Sequence, residues 1–140
     1  MASFVTETQS AAAAPRSRRA KTVVLRNDHG AVVCERCTVA DTTIARMRGL
    51  LGRKQLPSGE GMLLRPCPSV QTLFMRFPLD IVFLDRDGNV LKIVENLRPW
   101  RSAGARRAHA TLELPAGEAA RVGIAVGDRL VAESPPEPAR

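Results

Sequence analysis

Tyrosine is absent from this sequence of 140 residues, tryptophan occurs once, and aromatic residues make up 4%. A core must therefore be assembled from Val, Leu, Ile and Ala. Lysine is scarce too: three of the 21 basic residues are Lys and the rest are Arg. Arg is a bidentate, weakly hydrated donor suited to carboxylate and phosphate. No run approaches the roughly 20 apolar residues of a membrane helix, which excludes a helix-spanning protein. The cysteines number three, an odd count that argues against a disulfide framework. A secretory signal is not legible either. Ala11–Ala14 precede Arg16, Arg18 and Arg19, whereas a signal peptide places its charge before the apolar run. The Arg18-Arg19 pair is followed only by the short apolar run Val23–Leu25, so a twin-Arg signal fails as well. The expected compartment is the cytoplasm.

What is present suits one soluble domain. Apolar residues reach 44% and charged residues 25%, an ordinary globular balance at a length that supports a single core. Residues 1–21 lack periodicity and read as a disordered basic tail. Residues 133–140, with Pro135, Pro136 and Pro138, read as a second, Pro-rich tail. Residues 22–132 form the expected β-rich domain. The formal net charge is +7, which attracts anions in general without singling out nucleic acid.

Apolar runs and turn residues place the elements. Thr22–Leu25 and Ala31–Cys34 flank Asn27-Asp28-His29-Gly30, a hairpin pattern. Asp41 offers an N-cap to a helix over Thr42–Leu51, with Gly52 placed to end it. Met62–Leu64, Val70–Met75, Leu79–Leu84, Val90–Val94, Thr111–Leu114 and Leu130–Ala132 read as strands. Asp87-Gly88 between two apolar runs marks a tight hairpin. Leu97–His109 reads as a long polar loop, and Ala116–Val122 as one or two helical turns. The expected fold class is mainly β (α+β), a small antiparallel, barrel-like sheet with one or two short helices.

Six motifs occur in order: Arg48-Gly49-Leu50-Leu51-Gly52-Arg53, Gly61-Met62-Leu63-Leu64, Phe74 through Asp85, Arg98-Pro99-Trp100, Leu112 through Gly117, and Gly127-Asp128. In this order the chain resembles the bacterial and archaeal family recorded as domain of unknown function 192, over roughly residues 22–131. The resemblance implies a small β-rich domain and carries no catalytic residues over. Many relatives nearest this pattern have His where this chain has Gln71. Gln can serve neither as a general base nor as a metal ligand of that kind, which weakens an enzyme reading at that position.

Asp80 is the most unusual residue, a carboxyl group inside Leu79–Leu84, the most apolar strand. Such a group is costly near a core unless paired. One reading is structural: an ion pair with Arg76, or acceptance of backbone N–H bonds at a strand start. The other makes Asp80 a ligand-binding or acid–base group, with Arg76 and Thr72 beside it. Arg98, Trp100, Arg101, Arg106 and Arg107 lie in a loop without an acid between Leu97 and His109. Trp among Arg can stack on a ring while Arg pairs with phosphate. The commoner outcome is a Trp folded back as the loop's anchor. Cys34 and Cys37 have ligand spacing, but two cysteines are half a zinc site, and side chains three apart on a strand point to opposite faces unless a knuckle turns them. Two unremarkable small residues are the commoner reading, ahead of a redox pair or a metal site. Asp85 through Asn89 reads as a turn and not a calcium loop, for want of the distal ligands. Glu113, between Leu112 and Leu114, belongs on the face opposite theirs.

These residues support a non-catalytic binding or accessory module for a small polar or anionic ligand or a protein partner. The candidate contacts are Asp80, Arg76, Thr72, Trp100, Arg98 and Arg101. No cofactor or metal site and no membrane contact are expected. A hydrolase-like enzyme using Asp80, and nucleic-acid binding through residues 98–107, are the alternatives.

Overall fold

The computed structural model describes residues 21–40, 55–72 and 75–137. The expected helix over 42–51 lies outside them, as do residues 1–20 and 138–140. Among the described residues, nine strands and one short helix follow in order: β1 (Lys21–Asn27), β2 (Val32–Ala40), β3 (Glu60–Leu64), β4 (Ser69–Gln71), β5 (Leu79–Leu84), β6 (Val90–Leu97), β7 (Ser102–Gly104), β8 (Ala110–Pro115), α1 (Glu118–Val122) and β9 (Leu130–Glu133). Seven strands form one sheet in the order β6-β5-β8-β3-β2-β1-β9, and β4 pairs with β7 as a separate ribbon. The large sheet curls into a half-barrel. Its pairings are antiparallel except β2 with β3.

The strands that read most clearly in sequence are β5 and β8, each paired on both sides. All six residues of β5 are buried, as an unbroken Leu-Asp-Ile-Val-Phe-Leu run requires of a strand covered on both faces. Its neighbour β8 is buried from Ala110 through Leu114. Asp85 makes the β5–β6 turn: its Oδ1 accepts the N–H of Asp87 and of Asn89, each at 2.9 Å. The hydrogen bond from the Asn89 side chain holds the Asp85 carboxyl below the usual carboxylate range. Hence this segment is a hairpin turn.

Two apolar clusters sit on the two faces of the sheet. One holds Val82, Leu112 and Leu114 together with Val33, Cys34, Cys37, Ala119 and Ile124. The other holds Leu79, Ile81 and Phe83, capped by Leu56, Val70 and Met75 and by partly buried Phe77 and Ala103. The β4–β7 ribbon therefore belongs to the cover of the second face.

Three expectations change. The strand expected over Val70–Met75 is β4 and ends at Gln71, while residues 73–74 lie outside the described set. The expected polar loop 97–109 contains β7, whose Ser-Ala-Gly sequence carries no β-branched signal. Lys21 and Glu133, assigned to the tails, are strand residues of β1 and β9.

The sheet's outer strands meet at one end. Leu130 N–H donates to Gly88 O at 2.8 Å, and Asn89 bridges to Arg129. Gly88 has φ +89, and a Cβ there would lie 2.4 Å from Leu130 O. Gly88→Ala therefore combines left-handed strain with a backbone clash. It should lower stability by more than about 2 kcal/mol, measured as a shift of the urea midpoint with unchanged slope. An unchanged midpoint would show that β9 docks without this close approach.

Candidate binding site at the β6 exit

Asp80 is fully buried. Its Oδ1 accepts Asn96 N–H at 2.8 Å, and its Oδ2 accepts Gly117 N–H and Ala119 N–H, both at 3.0 Å. Gly117 and Ala119 open α1, whose first N–H groups have no intrahelical partner. One carboxyl group thus caps a helix far away in sequence and fixes the chain where β6 ends. This is the structural alternative read from the sequence, with backbone donors and not Arg76 as the partners. Arg76 is exposed in the segment before β5.

Thr72 performs a parallel task on the next segment. It is buried at 2% exposure. Its N–H donates to Arg101 O at 2.8 Å, and its carbonyl accepts Trp100 N–H at 2.9 Å. Its hydroxyl donates to Arg98 O at 2.6 Å and accepts Arg101 N–H at 2.8 Å. The 98–101 turn is thereby held by one buried side chain and its backbone. Three non-glycine residues near here take positive φ: Asn96 at 54°, Trp100 at 63° and Arg107 at 67°. Such conformations are strained for side chains with a Cβ and persist only where the surroundings hold them.

Trp100 is 56% exposed, which overturns the expectation that it anchors the loop. Thr72 holds the backbone of this turn. Arg98 and Arg101 are exposed beside it. They line an open groove of about 280 Å³ with Val94, Glu95, Asn96 and Leu97. The structure therefore sorts the expected site residues into two roles. Asp80 and Thr72 are buried supports, and Arg98, Trp100 and Arg101 are displayed. Arg76 has no described contact with either group.

Glu113 was expected on the face opposite Leu112 and Leu114, and it is there. It pairs across the sheet with Met62 and Ile81, on the covered second face. It therefore lies on the opposite side of the sheet from Asp80, whose cross-strand partner is Leu114. Its Oε2 is buried without a hydrogen-bond partner among the described residues. Burial pushes its carboxyl up to about 7. Glu118, which sequence reasoning passed over, is different. It accepts Arg121 Nε at 2.6 Å, Gly59 N–H at 2.7 Å and the Ser58 hydroxyl. The Arg121 bond above all holds it down at about 2. It ties α1 to the turn before β3.

Cys34 and Cys37 are both buried in one cluster, where a regular strand would set them on opposite faces. A bulge is the reason: Val23 pairs with Cys37 and Leu25 with Cys34, so β2 spends one residue more than β1 over this interval. Glu35 and Arg36 absorb it and turn outward. Among the described residues, Asp28, His29 and Asp128 bring potential metal donors within 4.8 Å of one another. Asp28 and His29 are solvent-exposed, and such surface groups are common without a metal.

The family model described as "Uncharacterized ACR", domain of unknown function 192, matches residues 23–132. A crystal structure of a protein of unknown function from Novosphingobium aromaticivorans is similar at 30% identity and TM-score 0.68, covering 79% of this chain and 83% of that one. A second, from Sinorhizobium meliloti and described as a candidate transcription regulator, is similar at 27% identity and TM-score 0.73, covering 83% and 97%. No curated protein matches. No helix among the described residues is long and apolar enough to cross a membrane.

Two measurements test these assignments. Asp80→Ala removes the acceptor of three N–H groups, the buried one of Ala119 among them, and in Asp80→Asn the amide NH2 must face at least one of them. Both variants should lose at least about 2–3 kcal/mol in denaturant titration; a neutral result would free Asp80 for another role. Glu113 gives a pH signature. Its ordinary value is 4.5 and its folded value about 7, so folding favours its protonated form. That stabilisation is complete below about pH 4.5 and is lost as the pH rises through 7. Stability of the parent should therefore fall by up to about 3 kcal/mol across this window relative to Glu113→Gln. Parallel stability curves for the two proteins would contradict the assignment.

Proposed function

For this chain, which belongs to the family recorded as domain of unknown function 192, we propose a binding module for a small anionic ligand that carries a ring, such as a nucleotide or a sugar phosphate. The observation that carries the reading is Trp100, 56% exposed and held at φ 63° by bonds to a buried threonine. A flexible loop with an outward indole would mean little. A strained, fixed loop that presents the protein's one indole between two arginines is a preorganised surface. In this reading Trp100 stacks on the ring, and Arg98 and Arg101 pair with the phosphate. Glu95, in the same groove, accepts hydrogen bonds from ring hydroxyls. Asp80 and Thr72 contribute by fixing the chain at Asn96 and at 98–101, which lowers the ordering cost of binding.

A second reading, acid–base catalysis, draws its support from Glu113. All three bonds that Asp80 accepts come from backbone groups it must hold, whereas Glu113 is buried, unpartnered at Oε2 and raised to about 7. A generic esterase, phosphatase and glycosidase panel addresses it. Activity with an apparent pKa near 7 that disappears in Glu113→Gln would favour this reading.

The chain has one Trp and no Tyr, so intrinsic fluorescence reports on Trp100 alone. Titration with adenosine diphosphate, ribose 5-phosphate or a short single-stranded oligonucleotide should give a saturable change with one of the two small phosphates. Arg98→Ala and Arg101→Ala should each weaken it by about tenfold or more. No saturable change with either small phosphate would overturn the proposal. A response confined to the oligonucleotide, with a steep salt slope, would replace it with nucleic-acid binding.

A further inference from the structure

The bulged strand β2 places two thiols in the first core cluster with nothing in the proposed binding function to use them. Cys34 and Cys37 are 1% and 0% exposed. Across the bulge Cys37 stands opposite Val23 and Cys34 opposite Leu25, two positions apart on β1, and both thiols enter the same core cluster. Cys34 Sγ also lies 3.5 Å from Gly59 O. Gly61 leaves room for it: a Cβ at Gly61 would stand 3.0 Å from Cys34 Sγ. Parallel pairing sets Gly61 opposite Cys37 on β3. The pair lies on the stretch of β2 flanked by β1 and β3, and its place in one cluster is a product of the extra residue in β2.

We propose that Cys34 and Cys37 are a site of reversible two-electron oxidation, forming an internal disulfide across the bulge with a small hydroperoxide as oxidant. Burial selects the oxidant. Thiols this enclosed exclude glutathione-sized disulfides, whereas hydrogen peroxide is neutral and close to water in size. The two thiols are also unequal. The neighbouring Cys37 thiol holds the Cys34 thiol below its ordinary value, and Cys34 and burial push Cys37 up. Cys34 is therefore the nucleophile and Cys37 the resolving thiol. In the first step the Cys34 sulfur attacks one peroxide oxygen and the O–O bond breaks. Cys34 becomes a sulfenic acid, and the second oxygen leaves as water with the thiol proton. In the second step the Cys37 sulfur attacks the Cys34 sulfur and the S–O bond breaks. The hydroxyl leaves as water with the Cys37 proton. Two thiols have lost two electrons and two protons, and one peroxide has become two waters.

The sequence supplies a direct readout. Arg36 lies between the two cysteines, with Arg26 and Arg46 as flanking tryptic sites. The native full-length chain is treated with hydrogen peroxide, denatured, alkylated with iodoacetamide and digested with trypsin. Peptides 27–36 and 37–46 should then appear as one species linked by a disulfide, which separates on reduction with dithiothreitol. Free thiols should fall from the three in the sequence to one, Cys67. Cys37→Ser should stop at the sulfenic acid, trapped by dimedone on peptide 27–36. Separate, fully alkylated peptides after native treatment would overturn the proposal. So would oxidation of Cys67 alone, or oxidation of Cys34 to the sulfinic acid without linkage in the parent protein.

Discussion

The carboxyl group of Asp80 is the constraint on which the functional end of this domain depends. It sits at the start of strand β5, fully buried, and takes three N–H groups that the backbone leaves over. Two belong to the opening of a five-residue helix that begins at a glycine with φ 88° and has no cap of its own. A helix this short is marginal alone, and its first turn is held by a strand residue 37 positions earlier. The third N–H belongs to Asn96, at φ 54°, where β6 turns into the arginine-rich segment. One side chain therefore links three distant pieces of chain, and the geometry of the 96–101 groove starts from it.

The two acidic residues near the centre of the sheet form a contrast. They occupy neighbouring strands and opposite faces, so they share no site. Asp80 faces the helix-covered cluster and has its lone pairs filled by backbone donors. Glu113 faces the cluster covered by the β4–β7 ribbon, and its Oε2 is unfilled. The first arrangement stabilises the fold, because breaking it orphans three donors. The second costs stability at neutral pH, since an acid in an apolar layer must be neutralised or paired. A domain that retains such a cost spends it where local stability is subordinate to another property.

Residues with local chemistry were legible in the sequence. The β5–β6 hairpin followed from Asp87-Gly88 and the apolar runs beside it, and β5 from its continuous hydrophobicity. Asp80 was conspicuous because a lone carboxyl in such a strand has to be paired. What escaped depends on contacts between distant segments. The turn that carries Trp100 is held by Thr72, 28 positions away by the numbering, through backbone bonds that no composition rule anticipates. The Cys34–Cys37 juxtaposition arises from a bulge, which is a property of two paired strands and not of either alone. Strand β7 is too short and too small in its side chains to signal itself. The burial of Glu113 needed knowledge of what covers the sheet, and alternation along β8 gives only the face.

The meeting of Gly88 with Leu130 also bears on how this protein stays separate from its neighbours. A half-barrel has two outer strands, here β6 and β9, each with unpaired backbone groups open to a second chain. Where the β5–β6 turn binds β9, the protein's own backbone occupies some of those groups: Val90 donates to Asp128, Gly127 to Val90 and Leu130 to Gly88. The two margins seal each other at that end, and the stretch of strand available for intermolecular β-pairing is shortened. The glycine that permits the close approach is thus also a guard against self-association. A side chain there would expose the margins along with loosening the fold.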